Sequence, residues 1–317
     1  MGIWKDRAHM AGEYLQYPRL LLGLIFTSLF GSVPKRISIG DDPRQYMLAY
    51  EPKAPVRRVA VLFLHGGGWR RGRPEFFLAI GRFFARRGIA VAMPAYRLAP
   101  RHKHPAQLND AAAAYAATVD WLDRIGLSDV PVIVGGNSAG AHIAAFLALD
   151  PRLCSLNGHD RIRGLLSMSG PLRWDLPYPK SIRPMMRELI RKPRAWPEAD
   201  PFLLIQRPQT FRLLALQGLR DPLIRPAAAV DFAKAWSPDG SFSELHLIPG
   251  HHHSDVCMDA FLKPCRDRTW VLDFVAAIEA DGLPPPVKDP GASGCDDAEL
   301  PLPMRRELPN PYLESDA

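Results

Sequence analysis

The sequence predicts an α/β protein organised around a doubly wound, mostly parallel sheet. Short apolar runs, of the kind that form strands buried on both faces, alternate with stretches of helical length. Two of those runs lead directly into glycine-rich turns, and the alternation extends from Val59 to about Ala280 with no internal repeat. Composition agrees with a packed core. The 317 residues are 47% hydrophobic and 23% charged, which suits one large core or two small ones and excludes a mainly disordered or collagen-like chain. Cys154, Cys257, Cys265 and Cys295 are too scattered for a disulfide scaffold or a structural zinc module. The net charge of +7 is dispersed among acids rather than gathered into a basic arm, so no nucleic-acid partner is expected.

In chain order, residues 1–58 form an N-terminal segment with one apolar run, Leu20 to Phe30 (LLLGLIFTSLF). That run is shorter than the roughly 20 residues needed to span a bilayer. Asp6 and Glu13 precede it and no A-x-A cleavage pattern follows, which argues against a secretory signal. It is expected to be an uncleaved helix that walls a pocket. The alternative is a peripheral membrane anchor flanked by Arg19, Lys35 and Arg36. A cytoplasmic protein, with or without that membrane contact, is the expectation.

Residues 59–281 carry the alternation. Val59 to Leu64 reads as a buried strand, Phe76 to Arg87 as a helix closed by Gly88, and Ile89 to Met93 as the next strand. Alanine-rich Ala106 to Ile125 is helical by propensity, and Pro131 to Val134 is a short β-branched strand entering Gly135 and Gly136. The helix Ala139 to Leu149 follows. Strands are predicted at Gly164 to Met168, Arg212 to Leu216 and Glu244 to Ile248, and helices at Pro226 to Trp236 and Asp259 to Ala280. Proline-rich residues 171–208 break the pattern and read as a loop-and-helix insertion acting as a partial cap. Within it Arg183, Arg187 and Arg191 recur every four residues and would share a face if helical. Residues 282–317 are a proline-rich tail without periodicity, expected to be extended.

Chemistry concentrates at a few turns. Gly136-Asn137-Ser138-Ala139-Gly140 is a G-x-S-x-G sequence between a predicted strand and a predicted helix. A serine there stands exposed on a strained turn, with a helix N-terminus favouring negative charge beside it. Alone, the pentapeptide is equally a glycine-rich turn; its placement favours a nucleophile. His65-Gly66-Gly67-Gly68-Trp69 follows the first core strand, and its bare amides, with that of Ala139, suit an oxyanion. Neither a P-loop lysine nor a G-x-G-x-x-G pattern supports phosphate binding instead. His65 is expected to organise the loop rather than act as a base. Asp221, after a predicted strand, is the best carboxylate candidate, and the loop His251-His252-His253 offers the base. A metal site at the triplet is disfavoured for lack of companion ligands.

Together these features resemble the α/β-hydrolase superfamily, most closely its hormone-sensitive-lipase-like and feruloyl-esterase- or arylformamidase-like carboxylesterases. Tyr96-Arg97-Leu98-Ala99-Pro100, then His104-Pro105 and Asp110, is similar to that family's Y-R-L-A-P…P…D segment. The resemblance implies an α/β-hydrolase fold in which Ser138 is the nucleophile, Asp221 the orienting acid, and Gly67, Gly68 and Ala139 the oxyanion hole. Its G-x-x-H spacing, counted from Gly250, selects His253 as the base, with His252 as the fallback. Ser254 stands where relatives often have an aromatic residue. The expected activity is hydrolysis of a small carboxylic ester through an acyl-enzyme, without metal or organic cofactor. An amide or peptide hydrolase, or a non-catalytic binding protein of the same fold, is the alternative. The oligomeric state is not legible.

Overall fold

A computed structural model describes residues 10–13, 32–153, 156, 158–190, 197–262 and 266–282. Eight strands, β1 (Lys35–Ser38), β2 (Tyr46–Tyr50), β3 (Ala60–Leu64), β4 (Ala90–Pro94), β5 (Val132–Asn137), β6 (Ile162–Met168), β7 (Arg212–Gly218) and β8 (Ser243–Ile248), form one sheet in the order β1-β2-β4-β3-β5-β6-β7-β8. The first two pairings, β1 with β2 and β2 with β4, are antiparallel, and every other pairing is parallel. Among the described residues from 32 onward the α-helices are α1 (Leu78–Ala85), α2 (Ala106–Arg124), α3 (Ala139–Leu149), α4 (Arg183–Leu189), α5 (Pro226–Trp236), α6 (His253–Leu262) and α7 (Arg266–Asp281).

The apolar runs are unbroken because the central strands serve two cores. Ala60, Leu62 and Leu64 enter the core shared with α2, α3 and α5, while Val59, Val61 and Phe63 enter the core shared with α1, α6 and α7. On the second face Phe261 of α6 packs edge-on against Phe63 at 6.0 Å and Phe83 at 5.2 Å. Burying each such side chain contributes about 1.5–3 kcal/mol. Gly88 takes φ 77° beyond α1, and a side chain there would also collide with the Pro55 carbonyl oxygen, so both conformation and space require glycine.

Three regions differ from expectation. Strands β1 and β2 lie in the segment before Val59: Lys35–Ser38 is short, mostly exposed and polar, so it carries no apolar run to read. The helix expected over Asp259 to Ala280 is two helices, α6 beginning six residues earlier at His253 and α7 beginning at Arg266. Pro264, which cannot donate a helical hydrogen bond, stands in the sequence between them. The helix expected from Phe76 is a 3₁₀ turn, Pro74–Phe77, followed by α1.

The insertion contributes α4 and a 3₁₀ turn at Pro201–Leu204. Arg183 donates from Nε to the Tyr178 carbonyl at 3.0 Å, Arg187 is exposed, and Arg191 lies outside the described residues. The Leu20 to Phe30 run and the tail beyond 282 also lie outside them. Among the described residues no helix is long and apolar enough to cross a membrane. Strands β3, β5, β7 and β8 run parallel, so the loops leaving their C-terminal ends meet at one sheet edge.

Candidate active site

Ser138 sits between β5 and α3 with φ 54° and ψ −119°, a left-handed conformation that costs a non-glycine residue energy. Its N–H is anchored to the Met168 carbonyl at 2.8 Å, and its side chain makes no capping bond to α3. The flanking glycines are required sterically. A Cβ at Gly136 would stand 2.6 Å from the Leu64 carbonyl oxygen, and one at Gly140 would collide with that same atom. The strand, the turn and the helix therefore approach β3 backbone to backbone. Ala139 opens α3, so its N–H is among the first four of the helix, which have no intrahelical partner.

The loop after β3 wraps onto this turn. A Cβ at Gly66 would lie 2.7 Å from Asn137 Oδ1 and 3.5 Å from Ser138 Cβ. Gly67 and Gly68 have φ 128° and 59°, and the Gly67 carbonyl accepts from Arg71 N at 3.0 Å. Gly68 lies directly beneath Met185 of α4, where a side chain would strike the thioether sulfur. Arg70 pairs with Glu188 of α4 at 3.1 Å, so the insertion grips the glycine loop at two points. His65 organises this loop, as its sequence context suggests: its ring stacks on Tyr96 at 4.2 Å and its Nδ1 donates to the Gly66 carbonyl at 2.8 Å. Burial pushes its pKa down to about 3. Tyr96 Oη donates to the His65 carbonyl, and Arg97 clasps buried Asp110 at 2.8 Å, which bonds Gln45 Nε2 as well.

Opposite this loop the structure brings Asp221 and His253 together. Asp221 Oδ2 meets His253 Nδ1 at 2.8 Å, with the Asp221 side chain fully buried and that of His253 nearly so. Asp221 Oδ1 accepts from Leu223 N and Ile224 N, both at 2.9 Å, and Oδ2 accepts also from Gln217 Nε2 at 2.9 Å. The carboxylate is thus held in a fixed orientation. His253 opens helix α6 instead of lying in a loop with its two neighbours, and the three imidazoles diverge. His252 Nδ1 contacts Asp255 Oδ2 at 3.1 Å, and His251 Nε2 lies 3.5 Å from Asp259 Oδ2. Among the described residues no three His, Cys, Asp or Glu side chains gather as a metal site. Burial pulls the His253 pKa down, but the Asp221 charge and hydrogen bond, with the Glu13 charge, outweigh it and leave the ring above the ordinary value.

A family profile described as "alpha/beta hydrolase fold" matches residues 61–239, more than half of the chain. The chain belongs to the α/β-hydrolase family. Ser138 and Asp221 of this α/β hydrolase fall inside the matched region and His253 just beyond it. The chain is 27% identical over 275 residues to a probable isoprenylcysteine alpha-carbonyl methylesterase of Oryza sativa subsp. japonica, covering 81% of this chain and 66% of that protein. It is 31% identical over 180 residues to the carboxylic ester hydrolase LipN of Mycobacterium tuberculosis, covering 56% of this chain and 43% of LipN. The chain therefore spans about two thirds or less of the length of these relatives. The crystal structure of EstE1, a thermostable carboxylesterase cloned from a metagenomic library, superposes with a TM-score of 0.67 at 22% identity, covering 86% of this chain and 98% of that one.

Two supports of the hydrolase site escaped the sequence reading. Gln217 is a polar residue in the buried strand β7, and that misfit with an apolar run is the signal that could have found it. His142, one turn into α3, accepts from Trp69 Nε1 at 3.2 Å through Nδ1 and donates from Nε2 to the Ala199 carbonyl at 2.7 Å. Burial lowers its pKa to about 3, so it joins the glycine loop to the insertion as a neutral ring.

Proposed function

We propose that this α/β hydrolase is a serine carboxylesterase acting on a small ester through an acyl-enzyme. The observation that carries the reading is the buried Asp221–His253 pair at 2.8 Å, standing on the same sheet edge as the φ 54° turn of Ser138. A carboxylate bonded to Nδ1 fixes the tautomer in which Nε2 is free to accept a proton, and stabilises the imidazolium that results. In the proposed reaction Ser138 Oγ attacks the ester carbonyl as His253 Nε2 takes its proton. The amides of Gly67, Gly68 and Ala139 receive the oxyanion. Collapse expels the alcohol, which takes the proton from His253, and a water activated by the same ring then releases the acid. The names of the methylesterase and ester-hydrolase relatives favour an ester over an amide.

The test is hydrolysis of p-nitrophenyl esters of increasing acyl length, with the matching anilides alongside. The expected result is turnover of esters, no more than traces with anilides, and loss of about 10³-fold or more in Ser138→Ala with its fold retained. Equal turnover by Ser138→Ala overturns the assignment of the nucleophile. Faster cleavage of anilides overturns the choice of ester.

A further inference from the structure

A second buried carboxylate reaches the histidine loop from the far end of the chain. Glu13 lies in a helical segment at residues 10–13 and is 1% exposed. Its Oε2 accepts from Ser254 N at 3.1 Å, and its Oε1 accepts from the Ser254 hydroxyl. Gly12, the preceding residue, approaches so closely that a Cβ there would collide with His252 Nε2. Ser254 is the second residue of α6, and its N–H is one of the helix's first four, which have no acceptor within the helix. Glu13 supplies that acceptor from outside, in the position where a helix N-terminus favours negative charge. A carboxylate is costly to bury, and both of its oxygens here go to the residue beside His253.

We propose that Glu13 is a positioning residue for hydrolysis: by capping α6 through Ser254 it fixes the backbone from which the His253 ring meets Asp221, and sets a second negative charge beside that ring. The proposal rests on the reading of His253 as the base. Two charged groups raise the proton affinity of the ring, Asp221 from the loop after β7, which is bonded to it, and Glu13 from the N-terminal segment, which is bonded to the next residue. The acids of α6 itself are turned to the other histidines, Asp255 to His252 and Asp259 to His251.

Glu13→Gln removes the charge while keeping an acceptor for Ser254; Ser254→Ala removes one bond and keeps the charge. Two readouts on the full chain separate the roles. The first is the titration of His253 in protein carrying ¹³C-labelled histidine, assigned by the signal missing from His253→Asn. The second is the pH profile of kcat/KM with p-nitrophenyl acetate. Glu13→Gln is expected to lower both the His253 midpoint and the acid limb of the profile by about half to one pH unit. Ser254→Ala is expected to lower the plateau several-fold with the midpoint unmoved. A Glu13→Gln midpoint equal to that of the unaltered protein overturns the proposal, even if the plateau falls. Should Glu13→Gln fail to fold by circular dichroism, Glu13→Asp takes its place: a retained midpoint with a several-fold lower plateau supports the role, and an unchanged plateau there and in Ser254→Ala overturns it. If the His253 midpoint shifts as expected while the unaltered protein cleaves no ester, Glu13 keeps its place and the esterase reading falls.

Discussion

The two halves of the site are held by different physics. Around Ser138 the geometry is made by missing side chains: Gly136 and Gly140 let β5, the turn and α3 close on the Leu64 carbonyl. Around His253 it is made by side chains that are present, with Asp221 bonded to Leu223 N, Ile224 N, Gln217 and the imidazole. The serine side is specified by shape and the histidine side by hydrogen bonds and charge. They should therefore fail differently, the first through loss of fold and the second through loss of rate and altered pH response.

The largest effect is expected on the histidine side. In Asp221→Asn the amide must keep its oxygen toward Leu223 N and Ile224 N, which turns its NH₂ toward His253 and favours the wrong tautomer. A fall in kcat of about 10³- to 10⁴-fold with an almost unchanged melting curve is the expected outcome; a melting curve that collapses would erase the contrast between the halves. Next comes Gly140→Ala. Its methyl group meets backbone that cannot swing aside, so a stability loss of about 3 kcal/mol, read as a lower urea midpoint, is expected along with reduced activity. A mutant as stable as the parent would show that the turn is looser than its packing implies.

The pH response sharpens the same comparison. The active form needs a neutral His253, and its pKa lies above the ordinary 6.5, so the acid limb of kcat/KM should have its midpoint above pH 6.5. A limb at or below that value would mean that burial outweighs Asp221. The stability this ring contributes has the matching sign. It is present in full below the unfolded pKa and fades as pH rises through the folded one. Smaller is the effect of Gln217→Leu, which removes one of the two donors on Asp221 Oδ2 and should cost about tenfold in kcat/KM. His251→Ala, on a ring turned toward Asp259, should cost less than about threefold.

Most of the sheet was legible because strands buried on both faces must be apolar throughout, and β3 through β8 advertise themselves this way or by the helices between them. β1 and β2 were not: Lys35–Ser38 is an exposed edge whose only specification is its pairing with β2, and the buried run Tyr46–Tyr50 stands outside the strand–helix alternation. The division between α6 and α7 did carry a signal, Pro264, which the expectation of one continuous helix passed over. In the site, Ser138, Asp221 and the glycine loop are legible since each follows a strand in sequence. His142, Gln217 and Glu13 are not, because what they do depends on the partner they meet: Ala199, Asp221 and Ser254, the last 241 positions away.

That separation has a consequence for how the molecule comes into being. A ribosome adding about 5–20 residues per second delivers Ser254 some 12–50 seconds after Glu13. Throughout that interval the carboxylate has no helix to cap, although the turn at Ser138 and the strands beside it can already be made. Closing so long a loop costs little more entropy than closing a short one, since the penalty grows only with the logarithm of its length. The wait is therefore one of time rather than of free energy. A group made early is joined late to its partner, and a protein interrupted before residue 254 would lack both the completed base side of the site and the two helices, α6 and α7, that cover one face of the sheet.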